Sequence, residues 1–147
     1  MKKWWLIVVG ILIVGFVFYN SKFFKEEKPY LQVGETKVFV EVRDTDKERQ
    51  QGLSGKESLG EDEGMYFLFD RKDRYGFWMK EMNFDLDFIW IDGDKVVEIT
   101  EVVVAPEKGK IPITVKPSRK IDKVLEVNSG WVKENGVEVG DEVRWVE

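Results

Sequence analysis

The chemistry open to this sequence is bounded first by what it lacks. Its 147 residues include no cysteine and no histidine. Thiolate catalysis, disulfides, a lipid-anchored cysteine, the usual zinc ligand sets and an imidazole base are thereby excluded. Carboxylate, lysine, arginine and tyrosine chemistry remains. Five residues interrupt apolar or glycine-punctuated segments in a way that suits a polar pocket: Arg49, Lys56, Trp78, Lys80 and Asp87. In Phe77-Trp78-Met79-Lys80, strand alternation puts Phe77 and Met79 on one face and Trp78 and Lys80 on the other. A flat ring beside a fixed cation suits a sugar or an anion, although a strand with one face in the core has the same pattern. Arg49 and Lys56 fall on a short helix and the turn after it, within reach of a sheet. Solvated or structurally paired cations at those positions need no ligand. Asp87 stands between Leu86 and Phe88 in a strand, where aspartate is disfavoured, so it requires a partner: a loop amide, Arg49 or Lys80.

An enzyme built from these groups would use Asp87 as base and Lys80 as electrostatic stabiliser, as a hydrolase or transferase acting on cell-envelope saccharides. Nothing in the spacing demands a reaction, and no catalytic residue is assigned. The carboxylate clusters Glu61-Asp62-Glu63 and Asp92-Gly93-Asp94 lack the ligand ladder of a calcium loop, and no glycine-rich phosphate loop is present. Neither a metal nor a cofactor is expected. The net charge of -5 is uneven. The region from Glu41 to Glu101 is acidic, and the stretch carrying Lys108, Lys110, Lys116, Arg119, Lys120 and Lys123 is basic. Pro112 and Pro117 break that stretch, Pro106 precedes it and no aromatics interleave its cations, so nucleic acid is not an expected partner.

The elements that must position these side chains follow a membrane-like start. After the short head of residues 1–3, Trp4 to Tyr19 is an uncharged run that reads as a transmembrane signal-anchor helix. At about 1.5 Å per residue it covers roughly 24 Å against a hydrocarbon thickness of ~30 Å. Trp4, Trp5 and Tyr19 suit the interface, and Lys2, Lys3 and Lys22 can snorkel to it. A cleaved signal peptide shares the basic start and short apolar run, but Tyr19-Asn20-Ser21 makes a poor cleavage site. A three-residue head staying inside leaves the rest of the chain on the extracytoplasmic side of the cell membrane, single-pass. Residues 20–29 read as a stiff linker, and residues 30–147 are enough for one core and not for two.

Within that domain, Thr36 to Val42 alternates as a half-buried strand does. Thr45-Asp46-Lys47-Glu48 forms a capping box for a helix of about two turns ending at Gly52. Met65 to Phe69 and Gly76 to Met79 read as strands. Leu86 to Ile91 and Asp94 to Val104 flank Asp92-Gly93, which predicts a β-hairpin with a type I′ turn. Val124 to Val127 and Glu142 to Val146 complete the strands, with a short helix between Ser129 as its cap and Asn135-Gly136. The expected fold is mainly β: a compact sandwich or partly open barrel of short antiparallel strands with two short helices.

The middle of the chain also carries a recognisable pattern. Glu48-Arg49-Gln50-Gln51-Gly52-Leu53, Gly64-Met65-Tyr66-Phe67-Leu68-Phe69, Phe77-Trp78-Met79-Lys80, Leu86-Asp87, Val124-Leu125-Glu126 and Gly140-Asp141 together resemble the domain of unknown function 192 family. The resemblance implies a compact, mainly β domain, often behind an export signal or one membrane helix, with no established activity. This chain departs from the pattern at Ser54, where methionine is usual, at Lys56, where arginine is usual, and at Glu81, where asparagine follows the F-W-M-K run. At Glu81 an amide that can donate has become an acceptor-only carboxylate. The overall expectation is a membrane-tethered module holding a small polar or saccharide ligand. The alternatives are the envelope hydrolase or transferase above and a structural domain that meets an envelope protein through its surface.

Overall fold

Strands form where apolar residues alternate or run together. The structure, a computed structural model, describes residues 29–147. The expected anchor at 4–19 and most of the linker lie outside the described residues. Among those described, no helix is long and apolar enough to cross a membrane. The strands are β1 (Tyr30–Val33), β2 (Thr36–Arg43), β3 (Glu63–Asp73), β4 (Phe77–Trp78), β5 (Leu86–Asp92), β6 (Lys95–Val103), β7 (Thr114–Val115), β8 (Ile121–Asn128) and β9 (Val143–Val146). Two helices join them, α1 (Asp46–Gln51) and α2 (Trp131–Asn135).

Seven strands make one sheet in the order β6-β5-β8-β3-β2-β1-β9, and β4 pairs with β7 apart from it. The sheet curls into a half-barrel, so the two stacked layers of a sandwich are not formed. Its outer strands approach each other through a bridge between Lys95 and Glu142 and backbone bonds such as Gly140 N to Val96 O at 2.8 Å. The expectation of antiparallel strands throughout fails at one pair: β2 and β3 are parallel. Residues 44–62, with α1 among them, form the crossover that a parallel pair requires and a tight turn cannot supply.

Both faces of the central strands are covered. Along β5, Ile89 and Ile91 join an apolar cluster with Leu125, Val127 and Trp131, while Phe88 and Trp90 join a second with Met65, Phe67 and Met79. Period-two alternation sends neighbours to opposite faces, so a continuous apolar run marks a strand buried on both.

Local signals fare unevenly. The capping box forms as expected, with Thr45 accepting from Glu48 N and Glu48 accepting from Thr45 N. The β5–β6 hairpin forms, but Asp92 pairs with Lys95, which makes Gly93 and Asp94 its central residues. Only Gly93 has positive φ, at 65°. Glycine first in the turn, followed by a residue of negative φ, is the type II′ pattern rather than I′. The α2 cap also differs: Gly130, not Ser129, is the N-cap, and no capping side chain comes from the helix's own start.

Candidate functional site

One cleft of about 870 Å³ lies over the second apolar cluster. Three segments frame it. The first is α1 and the loop after it, where Arg49 Nη1 donates to Leu68 O at 2.6 Å and so fastens the helix to β3. Its Cζ lies 5.1 Å from the centre of the Phe69 ring. The second is the end of β3 and the turn after it, where Phe69 and Tyr75 stack at 3.6 Å. The third is β4 and its continuation, fixed to the first by Ser54 Oγ donating to Lys80 O at 2.8 Å and Gly55 N donating to Glu81 O at 2.9 Å.

Alternation along β4 gives the cleft its amphipathic wall. Phe77 and Met79 turn inward, Met79 being buried, while Trp78 is 58% exposed. Lys80 Nζ lies 5.3 Å from the centre of the Trp78 ring and 3.5 Å from a Glu81 carboxylate oxygen. Beneath them Phe77 packs edge-on against Phe67 at 4.9 Å and against Trp90 at 5.6 Å. The wall is therefore rigid and aromatic below, wet and cationic above.

The lining includes one group that the reading of the sequence passed over. Glu126, from the middle of β8, lines the cleft and is 6% exposed. Its register partners are Met65 on β3 and Phe88 on β5, both fully apolar. Directly opposed residues of antiparallel strands share a face, so the carboxyl rises from an apolar floor. Among the described residues it has no hydrogen-bond or ion-pair partner. Burial without compensation pushes its carboxyl up to about 8. The signal was present in Val124-Leu125-Glu126-Val127, where a charge interrupts an apolar run as Asp87 interrupts its own.

Of the five expected site residues, Arg49, Trp78 and Lys80 line the cleft. Lys56 and Asp87 do not. Lys56 Nζ is bound to Glu41 Oε1 at 2.5 Å, and this bond holds Glu41 below the usual carboxylate range. Asp87 is completely buried and accepts from three backbone amides: Val102 N at 2.9 Å, Gly130 N at 2.9 Å and Val132 N at 3.2 Å. It caps α2 from a neighbouring strand and holds the bulged end of β6, which satisfies its charge without Arg49 or Lys80. Among the described residues no cluster of carboxylates could hold a metal ion.

Comparison with known proteins agrees with this architecture. Residues 30–145 match the model of the domain of unknown function 192 family (DUF192), described as an uncharacterized ACR. No curated protein matches the chain. A crystal structure from Sinorhizobium meliloti, provisionally labelled a transcription regulator, is similar with a TM-score of 0.70 and 26% identity, over 80% of this chain and 91% of that one. A protein of unknown function from Novosphingobium aromaticivorans is similar with a TM-score of 0.68 and 30% identity, over 79% of this chain and 84% of that one.

Proposed function

The chain belongs to the DUF192 family, and from that premise we propose that its folded part is a membrane-tethered binding module that holds a small polar ligand in the Trp78–Lys80 cleft. The observation that carries this reading is the meeting of Arg49, Trp78, Lys80 and a partnerless buried Glu126 around one cavity. Its volume lies in the range of small-molecule sites, roughly 300–1,000 Å³. Apolar walls with a few convergent polar groups give such sites both affinity and orientation. The uncharged run at 4–19 supports tethering to the cell membrane, with the domain on the extracytoplasmic side.

Turnover is the weaker reading, because Asp87, the expected base, is spent on backbone amides and lies outside the cleft lining. The regulator label of the Sinorhizobium protein is not carried to this chain. Among the described residues the helices have only six and five residues, and neither is a recognition helix of the groove-reading kind.

A ligand that binds only the folded state raises the melting temperature by mass action. Full-length protein screened by thermal shift against neutral sugars, anions and metal salts should show a rise with at least one class. Trp78→Ala should remove that rise while leaving the unliganded melting temperature nearly unchanged, since the ring is mostly exposed. A flat screen, or a rise of equal size in the variant, ends this reading.

A further inference from the structure

We propose that Glu126 is the floor of a subsite for an uncharged, hydroxyl-rich ligand, a saccharide unit, whose hydroxyl groups supply the hydrogen bonds this carboxyl lacks within the protein. The inference rests on the cleft-binding reading and specifies its ligand class.

The geometry carries it. Glu126 is more than nine-tenths buried and lines the open cleft, with Met65 and Phe88 beside it and Phe67, Phe77 and Met79 among the walls. A buried polar group is tolerated when its hydrogen bonds are made, whether from within the protein or from outside it. Asp87 shows how this protein treats a carboxylate meant to stay structural: three amides are brought to it. Glu126 receives none, so a partner from outside the chain is what its position suits.

Charge narrows the class. The charged groups sharing the cleft are Asp46 and Arg49 from α1, Asp70 and Arg71 from β3, and Lys80 beyond β4. Glu126 apart, these come to two acids and three cations, and Arg49 and Lys80 already face Asp46 and Glu81, so the mouth selects neither sign strongly. An anionic ligand has no cation at the floor to meet it. A cationic ligand would find Glu126 ionised only after the carboxyl gave up its proton in an apolar setting, which the upward push to about 8 makes costly near neutrality. As a neutral acid the group offers one donor and further acceptor capacity, the pattern of a sugar hydroxyl pair. Trp78, exposed at the rim, adds a flat amphipathic ring of the kind that stacks on a pyranose face.

The test uses full-length protein in lipid nanodiscs and isothermal titration calorimetry. The neutral probes are maltotriose, cellotriose and chitotriose; the charged probes are the glucosamine trimer and trigalacturonic acid. At least one neutral trisaccharide should bind more tightly than both charged trimers. Glu126→Gln, which keeps hydrogen-bonding capacity without a charge, should retain that affinity within about threefold. Glu126→Leu should weaken it at least tenfold, and Glu126→Met replaces it in the same comparison if the leucine variant does not fold. The proposal is overturned if the apolar variant binds the neutral probe as well as the native chain does, or if a charged trimer binds best. In either case loss of binding in Trp78→Ala would show that the cleft reading survives. A chain that binds none of the five probes overturns the saccharide floor, and a screen flat to every other class as well ends the cleft reading with it.

Discussion

Two buried carboxyls on the sheet face opposite circumstances, and the difference makes separable predictions. Asp87 is held by three amides. Its replacement by alanine leaves those donors without a partner and should cost about 3 kcal/mol or more, read as a lower denaturant midpoint. Glu126 has no such support, and its proton affinity is raised by burial from 4.5 to about 8. The folded state thus holds a proton that the unfolded chain has released. Its contribution to stability is fully present below about pH 4.5, declines as pH rises toward about 8, and is constant beyond. With about 1.4 kcal/mol for each tenfold change in proton affinity, the loss amounts to roughly 5 kcal/mol. Unfolding free energies for native protein and Glu126→Gln, measured from pH 4.5 to 9, should therefore converge at the acid end. At the alkaline end the variant should be the more stable. Parallel curves would show that Glu126 ionises as freely in the fold as out of it. The two carboxyls carried the same mark in the sequence, a charge inside an apolar run. Their partners are contributed by segments far away in the chain, so spacing alone could not tell a satisfied carboxylate from an unsatisfied one.

At the scale of elements, what the sequence made legible was whatever is decided within a few residues. The Thr45–Glu48 box reciprocates its bonds over one turn, and the alternation along Phe77–Lys80 sorts wall from rim. What was not legible depended on distant chain: the parallel β2–β3 pair, set by the crossover, and the α2 cap, which comes from Asp87 on β5. The departure at Glu81 gains a physical meaning here. Its φ is 58°, in the left-handed region. Asparagine tolerates that region far better than glutamate does, which gives a conformational reason for the amide usual at this point of the F-W-M-K-N pattern. The carbonyl of Glu81 still accepts from Gly55 N at 2.9 Å, so the turn is held by backbone and its residue bears the strain. The ion pair with Lys80 is exposed and contributes little. Glu81→Asn should stabilise the protein by about 0.5–1 kcal/mol, seen as a rise of a few degrees in melting temperature. Unchanged or lower stability would mean that the turn relaxes around glutamate at no cost.

For the molecule as a whole, the buried apolar residues of the fold and the uncharged run at 4–19 fall on different parts of the chain. The half-barrel closes its own core on both faces of β5, with buried residues from β1, β2, β3, β5, β6, β8, β9 and α2. Among the described residues no helix is long and apolar enough to cross a bilayer, so the proposed attachment through a helix would fall on the uncharged run at 4–19. A run of that length inside a globule would need a large apolar surface to cover it on all sides. Full-length protein should therefore sediment with membranes and resist high salt and alkaline carbonate, yielding only to detergent. A chain beginning at Pro29 should stay in the supernatant with the same fold. Protease added to spheroplasts should reach the domain if the head of residues 1–3 remains inside. Recovery of the full chain in the soluble fraction would refute the anchor, and protection of the domain in intact spheroplasts would reverse its side. Either result would leave the cleft where it is but change which saccharides it could meet.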